Sequence, residues 1–289
     1  PISEKQGVGS SILPLATMYK YINYLKTHIR IFFESHNQIL KTSEKKYLNN
    51  ILTKYPKSLL NYGFKVYSQG NEDGLLEEIF NRLSIQNPNF IEIGSGNGTE
   101  NNTHYLLLKG SRGIWVDSNK KNIRYINKNL KSFLKEERLK VVNTIINDDN
   151  LSDLITNSKD FLDSETIDLF SVDIDGNDYY ILKALLNTEL LPKVIVTEYN
   201  SKFPPNLDYI PNFNKSNWKN DDYMGASLLS IQKLLSDKYF LVVCTHTGVN
   251  AFFVLNEYKK LFSKLTLNEL WQPPNYEFNN IKLGHTSTL

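Results

Sequence analysis

The sequence contains three alternating glycines and then an acid at the end of the next apolar run. These are the residue types of a nucleotide-binding turn. The apolar run at residues 90–93 leads into Gly94, Gly96 and Gly98, and the next apolar run ends on Asp117. Glycine allows positive φ and a close approach of the backbone to a ligand, and a carboxylate can accept hydrogen bonds from both hydroxyls of a ribose. The order of strand, glycine turn, helix, strand and acid predicts the first unit of a nucleotide-binding α/β domain.

The spacing of the glycines separates two classes of cofactor. Dinucleotide sites use GxGxxG, with the pyrophosphate on a helix N-terminus, whereas this chain reads ExGxGxG from Glu92. Glu92 would repel a pyrophosphate and suits a cationic ligand, such as an ammonium or a sulfonium. The pattern resembles motif I of the class I S-adenosylmethionine-dependent methyltransferases. The resemblance implies S-adenosylmethionine as cofactor, with Asp117 on its ribose and a site formed by Gln69, Glu92, Gly94, Ser95, Gly96, Gly98, Asn102, Asp117, Ser118 and Asp173.

Acidic residues also end the later predicted strands. The fourth strand ends in Asp173, Asp175 and Asp178, the fifth ends in Glu198, and the final hairpin turns at His246. In an open α/β sheet the ligand lies at the carboxyl ends of the strands. Carboxylates crowded there repel each other unless a cation joins them or some of them hold a proton.

The string SVDIDGNDYYILKAL, which begins at Ser171, resembles the KIDVEGAE-type motif of FkbM-type methyltransferases. Asp173, Asp175, Gly176 and Asp178 stand at its aspartate, glutamate, glycine and last acid, and Ser171 replaces its lysine. The resemblance covers roughly residues 64–256. It implies methylation of a hydroxyl group on a small-molecule or glycan acceptor, such as a polysaccharide or a nucleotide-sugar precursor.

The same string is similar to the strand-four motif of metal-dependent sugar O-methyltransferases. That resemblance implies Mg²⁺ held by Asp175 and Glu198, although Tyr199 or Asn200 replaces the usual adjacent acid. Oxygen ligands suit magnesium, and a coordinated acceptor hydroxyl has a lowered pKa. A nearby base would remove its proton, and the predicted catalytic residues are Asp175, Asp178 and His246.

Several of these residues also have a structural interpretation. Asp178 is a natural acid for a helix N-terminus, where the helix dipole stabilises it. His246 could be an ordinary surface histidine, and Asp173 could contact only the methionine end of the cofactor. The sequence leaves open whether a metal binds.

Strands that alternate with helices, closed by a hairpin, predict an α/β fold with a Rossmann-like class I methyltransferase sheet. The sheet would have seven strands, mostly parallel, with a terminal antiparallel hairpin. We expect strands at residues 90–93, 113–117, 139–146, 167–174, 192–199, 239–244 and 250–255, and helices at 99–109, 120–136, 151–158, 179–186 and 226–235. The predicted domains are an N-terminal helical extension (1–63), a methyltransferase core (64–256) and a C-terminal helix and tail (257–289).

The N-terminal extension carries an apolar seam with steps of three and four residues, formed by Leu15, Met18, Ile22, Leu25, Ile29, Phe32 and Ile39. Such a face could pack on the core or form a homodimer. With Lys20, Lys26 and Arg30 it could instead touch an anionic membrane surface. A second helix is expected over residues 41–60, ending near Pro56.

Two further segments could cover the cleft. A polar stretch at residues 67–73 either caps the following amphipathic helix or folds over the cofactor. A loop over residues 203–223 carries Phe203, Tyr209, Phe213, Trp218 and Tyr223. Because long loops without secondary structure usually have a function, we expect a lid that stacks on a sugar.

Composition is that of an ordinary globular protein. Its 289 residues carry a net charge of +2, which argues neither for nor against nucleic acid. We expect no nucleic-acid partner, because amino-methylating enzymes carry a [DNS]PP[YFW] motif after the fourth strand, where this chain reads DIDGND. No apolar run reaches the roughly 20 residues needed for a transmembrane segment. The single cysteine, Cys244, excludes an internal disulfide framework and fits a cytoplasmic location. The competing functions are a NAD-dependent Rossmann oxidoreductase, which the glycine spacing disfavours, and a methyltransferase-like scaffold without activity.

Overall fold

A computed structural model of the protein describes residues 15–213, 222 and 224–279. The chain divides into two compact units between Tyr47 and Leu48. The first element is one helix, α1 (Leu15–Lys54). The prediction of two helices in this region is therefore wrong, because no glycine or proline interrupts the chain until Pro56.

The apolar seam of α1 is exposed where its side chains are described. Ile22, Leu25, Ile29, Phe32 and Ile39 expose 39–67% of their surface, and the side chains of the remaining seam residues lie outside the described part. A homodimer through this face stays a prediction. No helix within the described ranges is both long and apolar enough to cross a membrane.

The second unit is built on a single seven-stranded sheet in the order β3-β2-β1-β4-β5-β7-β6. Its first five strands pair in parallel, and β7 pairs antiparallel with β5 and β6. This topology confirms the predicted fold class. The strands are β1 (Phe90–Ile93), β2 (Gly113–Asp117), β3 (Leu139–Asn143), β4 (Leu169–Val172), β5 (Val194–Glu198), β6 (Tyr239–Cys244) and β7 (Asn250–Leu255).

Two apolar cores form because successive strand residues point to opposite faces of the sheet. One core contains Ile91, Phe170 and Ile195, and the other contains their neighbours Phe90, Leu169 and Val194. Burial on both faces explains why the inner parallel strands β1, β2, β4 and β5 are mostly apolar. The edge strand β3 is only partly buried. The helices that follow α1 are α2 (Glu72–Leu83), α3 (His104–Leu108), α4 (Lys120–Asn129), α5 (Lys131–Lys135), α6 (Asp148–Leu162), α7 (Asp178–Leu185), α8 (Leu228–Leu235) and α9 (Leu267–Leu270). Short 3₁₀ helices lie at Leu59–Tyr62, Asn256–Leu261 and Tyr276–Asn279.

Two predicted helices are corrected by the structure. The helix expected over residues 99–109 shrinks to α3, because the residues before it bind the Glu92 carboxylate instead. The helix expected over residues 120–136 is interrupted at Leu130, whose φ of −112° and ψ of 32° end α4 before α5 begins.

Gly94 joins β1 to the glycine turn at a point that has no room for a side chain. Its φ is 85°, and an added Cβ would lie 1.7 Å from the carbonyl oxygen of Asp173. We expect Gly94→Ala to lower the free energy of unfolding by about 3 kcal/mol, because the two chain segments would have to separate. Denaturant unfolding followed by circular dichroism measures this loss.

Gly96→Ala is the matched control. Gly96 also has positive φ, at 57°, but an added Cβ would meet no atom within 4 Å. We therefore expect Gly96→Ala to lower the free energy of unfolding by about 1 kcal/mol, from the backbone conformation alone. Equal losses in the two variants would contradict the proposed close contact.

Candidate active site

A cleft of about 940 Å³ lies at the carboxyl ends of β1, β2 and β4, within the size range of small-molecule sites. The predicted site residues that line it are Gln69, Glu92, Gly94, Ser95, Gly96, Asn102, Asp117, Ser118, Asp173 and Asp175. Its described lining does not include Gly98, Asp178, Glu198 or His246.

Asp117 fixes the glycine turn to the start of α4. Its Oδ2 accepts a hydrogen bond of 2.9 Å from the amide of Gly96. Its Oδ1 accepts from the amide of Asn119 at 2.7 Å and from Nδ2 of Asn122 at 3.2 Å. Next to it, Ser95 is buried and its Oγ has no partner among the described residues. The turn is therefore held in place before any ligand binds, and the Ser95 hydroxyl is available to one.

Gly98 supports the turn from the protein side. A Cβ there would lie 2.6 Å from the Trp115 ring, and its carbonyl accepts a hydrogen bond from Nδ1 of the buried His104. Tyr67 stacks on the His104 ring with centroids 3.9 Å apart. The place of Gly98 in a cofactor site stays a prediction, and no sequence motif pointed to His104.

Glu92 binds the chain that follows the turn. Its carboxylate accepts hydrogen bonds from Asn101 Nδ2, the Asn102 amide and Thr103 Oγ1. Burial raises the pKa of Glu92 to about 7, and these hydrogen bonds lower it only in part. The side chain thus has a structural role, and its contact with a cationic ligand stays a prediction.

The polar stretch before α2 folds back on itself. Oδ2 of Asp73 accepts hydrogen bonds from the amides of Val66, Tyr67 and Ser68 at 2.6, 2.8 and 3.0 Å. Glu72 accepts from the Gly70 amide at 2.7 Å. These bonds hold the loop that carries Gln69 at the edge of the cleft, so the stretch both precedes the helix and lines the site.

Three carboxylates converge at the ends of β4 and β5. One oxygen from each of Asp173, Asp175 and Glu198 lies within 4.8 Å of the other two. Burial first, and then neighbouring carboxylates, raises the pKa values of Asp173 and Glu198 well above their ordinary values. Oε2 of Glu198 is buried and has no hydrogen-bond partner among the described residues. Without a cation these carboxyl groups therefore favour the protonated form, and Oε2 of Glu198 is left as a buried acceptor.

Asp178 is turned toward the backbone. Its Oδ1 and Oδ2 accept hydrogen bonds of 3.0 Å from the amides of Ile174 and Gly176, and the side chain is buried. Burial raises its pKa to about 6, and the two amides oppose that shift. The geometry fits the structural interpretation of an acid that closes the loop before α7, and it does not support the predicted catalytic role.

His246 is buried in the turn between β6 and β7 and does not line the cleft. It exposes only 3% of its surface, and its ring is stacked with Phe278 at 6.1 Å. This burial corrects the interpretation of a surface histidine, and the catalytic role of His246 stays a prediction.

Asn250 is a cleft residue that the sequence analysis missed. It is the register partner of Glu198 across β5 and β7, and its Nδ2 donates to Glu72 at 3.1 Å. Its Oδ1 is buried with no partner among the described residues. The only sign of Asn250 in the sequence was its position as the first residue of the last predicted strand.

The loop after β5 contributes Tyr209, Pro211, Asn212 and Met224 to the cleft lining. Oη of Tyr180 donates a hydrogen bond of 2.8 Å to the Pro211 carbonyl, which ties this loop to α7. Trp218 and Tyr223 of the predicted lid lie outside the described residues, and the lid itself stays a prediction.

Comparisons with known proteins show similarity of fold. No family model and no curated protein matches the sequence. Among solved structures, the chain is similar to a proposed caffeoyl-CoA O-methyltransferase from Staphylococcus aureus, at 15% identity and a TM-score of 0.44 over 73% of this chain and 99% of that one. It is also similar to an S-adenosylmethionine-dependent methyltransferase from Clostridium acetobutylicum, at 12% identity and a TM-score of 0.40 over 66% of this chain and 92% of that one. An SAH-bound methyltransferase from Podospora anserina gives 12% identity and a TM-score of 0.40 over 74% of this chain and 87% of that one. Similarity at this level carries no information on substrate or reaction.

The raised pKa of Glu92 predicts a pH-dependent stability. Because its pKa rises from 4.5 to about 7 on folding, the folded state binds more protons between these values, and stability is lost as the pH rises through them. Glu92→Gln removes this titration. We expect the unfolding free energy of the wild type to fall by about 2 kcal/mol relative to that of Glu92→Gln between about pH 5 and pH 8. A difference in unfolding free energy between the two proteins that does not change with pH would contradict the raised pKa of Glu92.

Proposed function

We propose that the protein is an S-adenosylmethionine-dependent O-methyltransferase that acts on a hydroxyl group of a sugar or glycan. The observation that carries the proposal is the placement of Asp117. Its carboxylate ends β2, lines the cleft and is tied to the turn through the Gly96 amide, which is the arrangement that a nucleoside ribose requires.

The residues around the turn fit this cofactor. Asp117 would bind the ribose hydroxyls, and Gln69 lines the same cleft. Ser95 Oγ and Asn101 Oδ1 are buried, lie on cleft-lining residues and have no partner among the described residues, so they have hydrogen bonds to offer. When bound, the cofactor supplies an electrophilic methyl group on a sulfonium, and the transfer needs no oxidant or reductant.

Asp175 is the base that we propose for the acceptor hydroxyl. It is exposed in the cleft and has a φ of 54°, a conformation that non-glycine residues adopt mainly where function or tight turns require it. The acceptor O–H bond would break as the oxygen bonds to the methyl carbon and the carbon–sulfur bond breaks. The proton would pass to the Asp175 carboxylate.

A divalent cation fits the cluster of Asp173, Asp175 and Glu198. The donor atoms are all oxygens, which suits Mg²⁺, and Glu198 Oε2 and Asn250 Oδ1 are buried acceptors without described partners. A cation would offset the mutual repulsion of the carboxylates. When bound, it would lower the pKa of an acceptor hydroxyl.

Calorimetric titration with S-adenosylhomocysteine tests the cofactor site. We expect micromolar binding to the wild type and a loss of at least about tenfold in Asp117→Ala, because the ribose would lose a charged acceptor. Asp153→Ala is the matched control, since Asp153 is an exposed acid on α6 and should leave affinity unchanged. No binding to the wild type, or equal loss in both variants, would refute the assignment.

Titration with Mn²⁺, followed by electron paramagnetic resonance, tests the cation site without the cofactor. We expect Glu198→Gln to weaken binding by about tenfold or more, because a ligand charge is lost. Asp153→Asn is the control, because it changes an exposed acid on α6 outside the cluster and should retain binding. Affinity should fall as the pH is lowered, since protons compete for the carboxylates. Equal weakening in the two variants would argue against this ligand set.

A further inference from the structure

Helices α4 and α5 carry a set of positive charges that we call the basic stripe. All of its members are exposed: Lys120, Lys121, Arg124, Lys128, Lys131 and Lys135. The chain contains no acidic residue between positions 118 and 135. Because the whole protein carries a net charge of only +2, the rest of the chain is net acidic.

The stripe is one-sided. Lys120, Arg124 and Lys128 follow one another at four-residue steps along α4, and Lys131 and Lys135 repeat the step in α5. Residues at this spacing lie on the same helix face, about 5–6 Å apart. Ile126 is buried on the other side, and Leu130, Phe133 and Leu134 pack against the same core. The apolar face thus fixes which way the charges point.

These cations have no acidic partner among the residues that the structure describes. None of the six forms an ion pair within the described part of the chain. An ordinary solvated helix mixes signs, as α2 does with its pair of Glu78 and Arg82 at 2.8 Å. A row of like charges instead creates a positive potential that attracts polyanions.

The stripe begins where the cleft ends. Asn119 and Asn122, at the start of α4, line the cleft, and both bind the Asp117 carboxylate. A ligand that extends out of the cleft on this side would therefore meet Lys120, Lys121 and Arg124 first.

We infer that the basic stripe binds an acidic glycan chain that lies along α4 and α5, beside the Asp117 end of the cleft. Binding to the stripe does not depend on the proposed function. Evenly spaced lysines suit a flexible chain with one anionic group per unit, because each ammonium acts as a point charge. Single-stranded nucleic acids are bound with several stacked aromatic rings, and in α4 and α5 Tyr125 is the exposed aromatic residue.

Fluorescence anisotropy with fluorescein-labelled oligogalacturonate tests the inference. We expect salt-sensitive binding to the full chain, and a loss of at least about tenfold in the triple variant Arg124→Glu, Lys128→Glu, Lys131→Glu. The matched control is Lys183→Glu, Lys238→Glu, Lys260→Glu, which changes the net charge equally at exposed lysines outside the stripe. The affinity of this control for the oligogalacturonate should lie within about twofold of that of the wild type.

Several outcomes would overturn the inference. Equal loss in both triple variants would show that net charge alone governs binding. Preference for a single-stranded DNA oligomer, or for phosphatidylglycerol vesicles, would replace the glycan with another anionic partner. Titration of the wild type with S-adenosylhomocysteine separates the two proposals. If the wild type binds the oligogalacturonate but no S-adenosylhomocysteine, the stripe stands and the methyltransferase assignment fails. If the wild type binds S-adenosylhomocysteine but no oligogalacturonate, the cofactor site stands and the stripe proposal fails.

Discussion

The burial of several carboxylates at one edge of the sheet is the constraint on which the site depends. A buried carboxylate must be hydrogen-bonded, hold a proton or meet a cation. The chain satisfies Glu92 with side chains of the following loop and Asp178 with two backbone amides. It leaves Oε2 of Glu198 without such a partner among the described residues. The acids are thus divided into those that build the loops and those that are left for a ligand.

The two halves of the cleft are built on neighbouring strands. Gly94 brings the glycine turn against the carbonyl of Asp173, so the cofactor side and the acid cluster share one backbone contact. Asp117 adds a second constraint, because its hydrogen bonds join the turn to α4. Groups held in place before a ligand arrives lose little entropy on binding, which favours both affinity and the alignment of reacting atoms.

The fold, and the position of the glycine turn and Asp117 at the edge of the cleft, could be predicted because their signals are local. Apolar runs that end in glycines or acids indicate strand ends, and parallel strands bring those ends to one edge. The hydrogen bonds of Asp178 and the burial of His246 could not be predicted, because they depend on which way each side chain turns. The contact of Gly98 with the Trp115 ring could not be predicted either, because it depends on tertiary packing. Asn250 was missed because its importance comes from facing Glu198 across β5 and β7, and strand register is not visible in one sequence.

A crystal structure of the protein grown with S-adenosylhomocysteine and Mn²⁺ would test the proposed cofactor site and the proposed cation site together. We expect ligand density in the cleft, with the ribose hydroxyls within hydrogen-bond distance of Asp117. We also expect an anomalous peak among Asp173, Asp175 and Glu198. Ligand density away from the glycine turn, or an empty cleft at saturating ligand, would contradict the proposed cofactor site. A manganese peak elsewhere would contradict the assignment of the acid cluster.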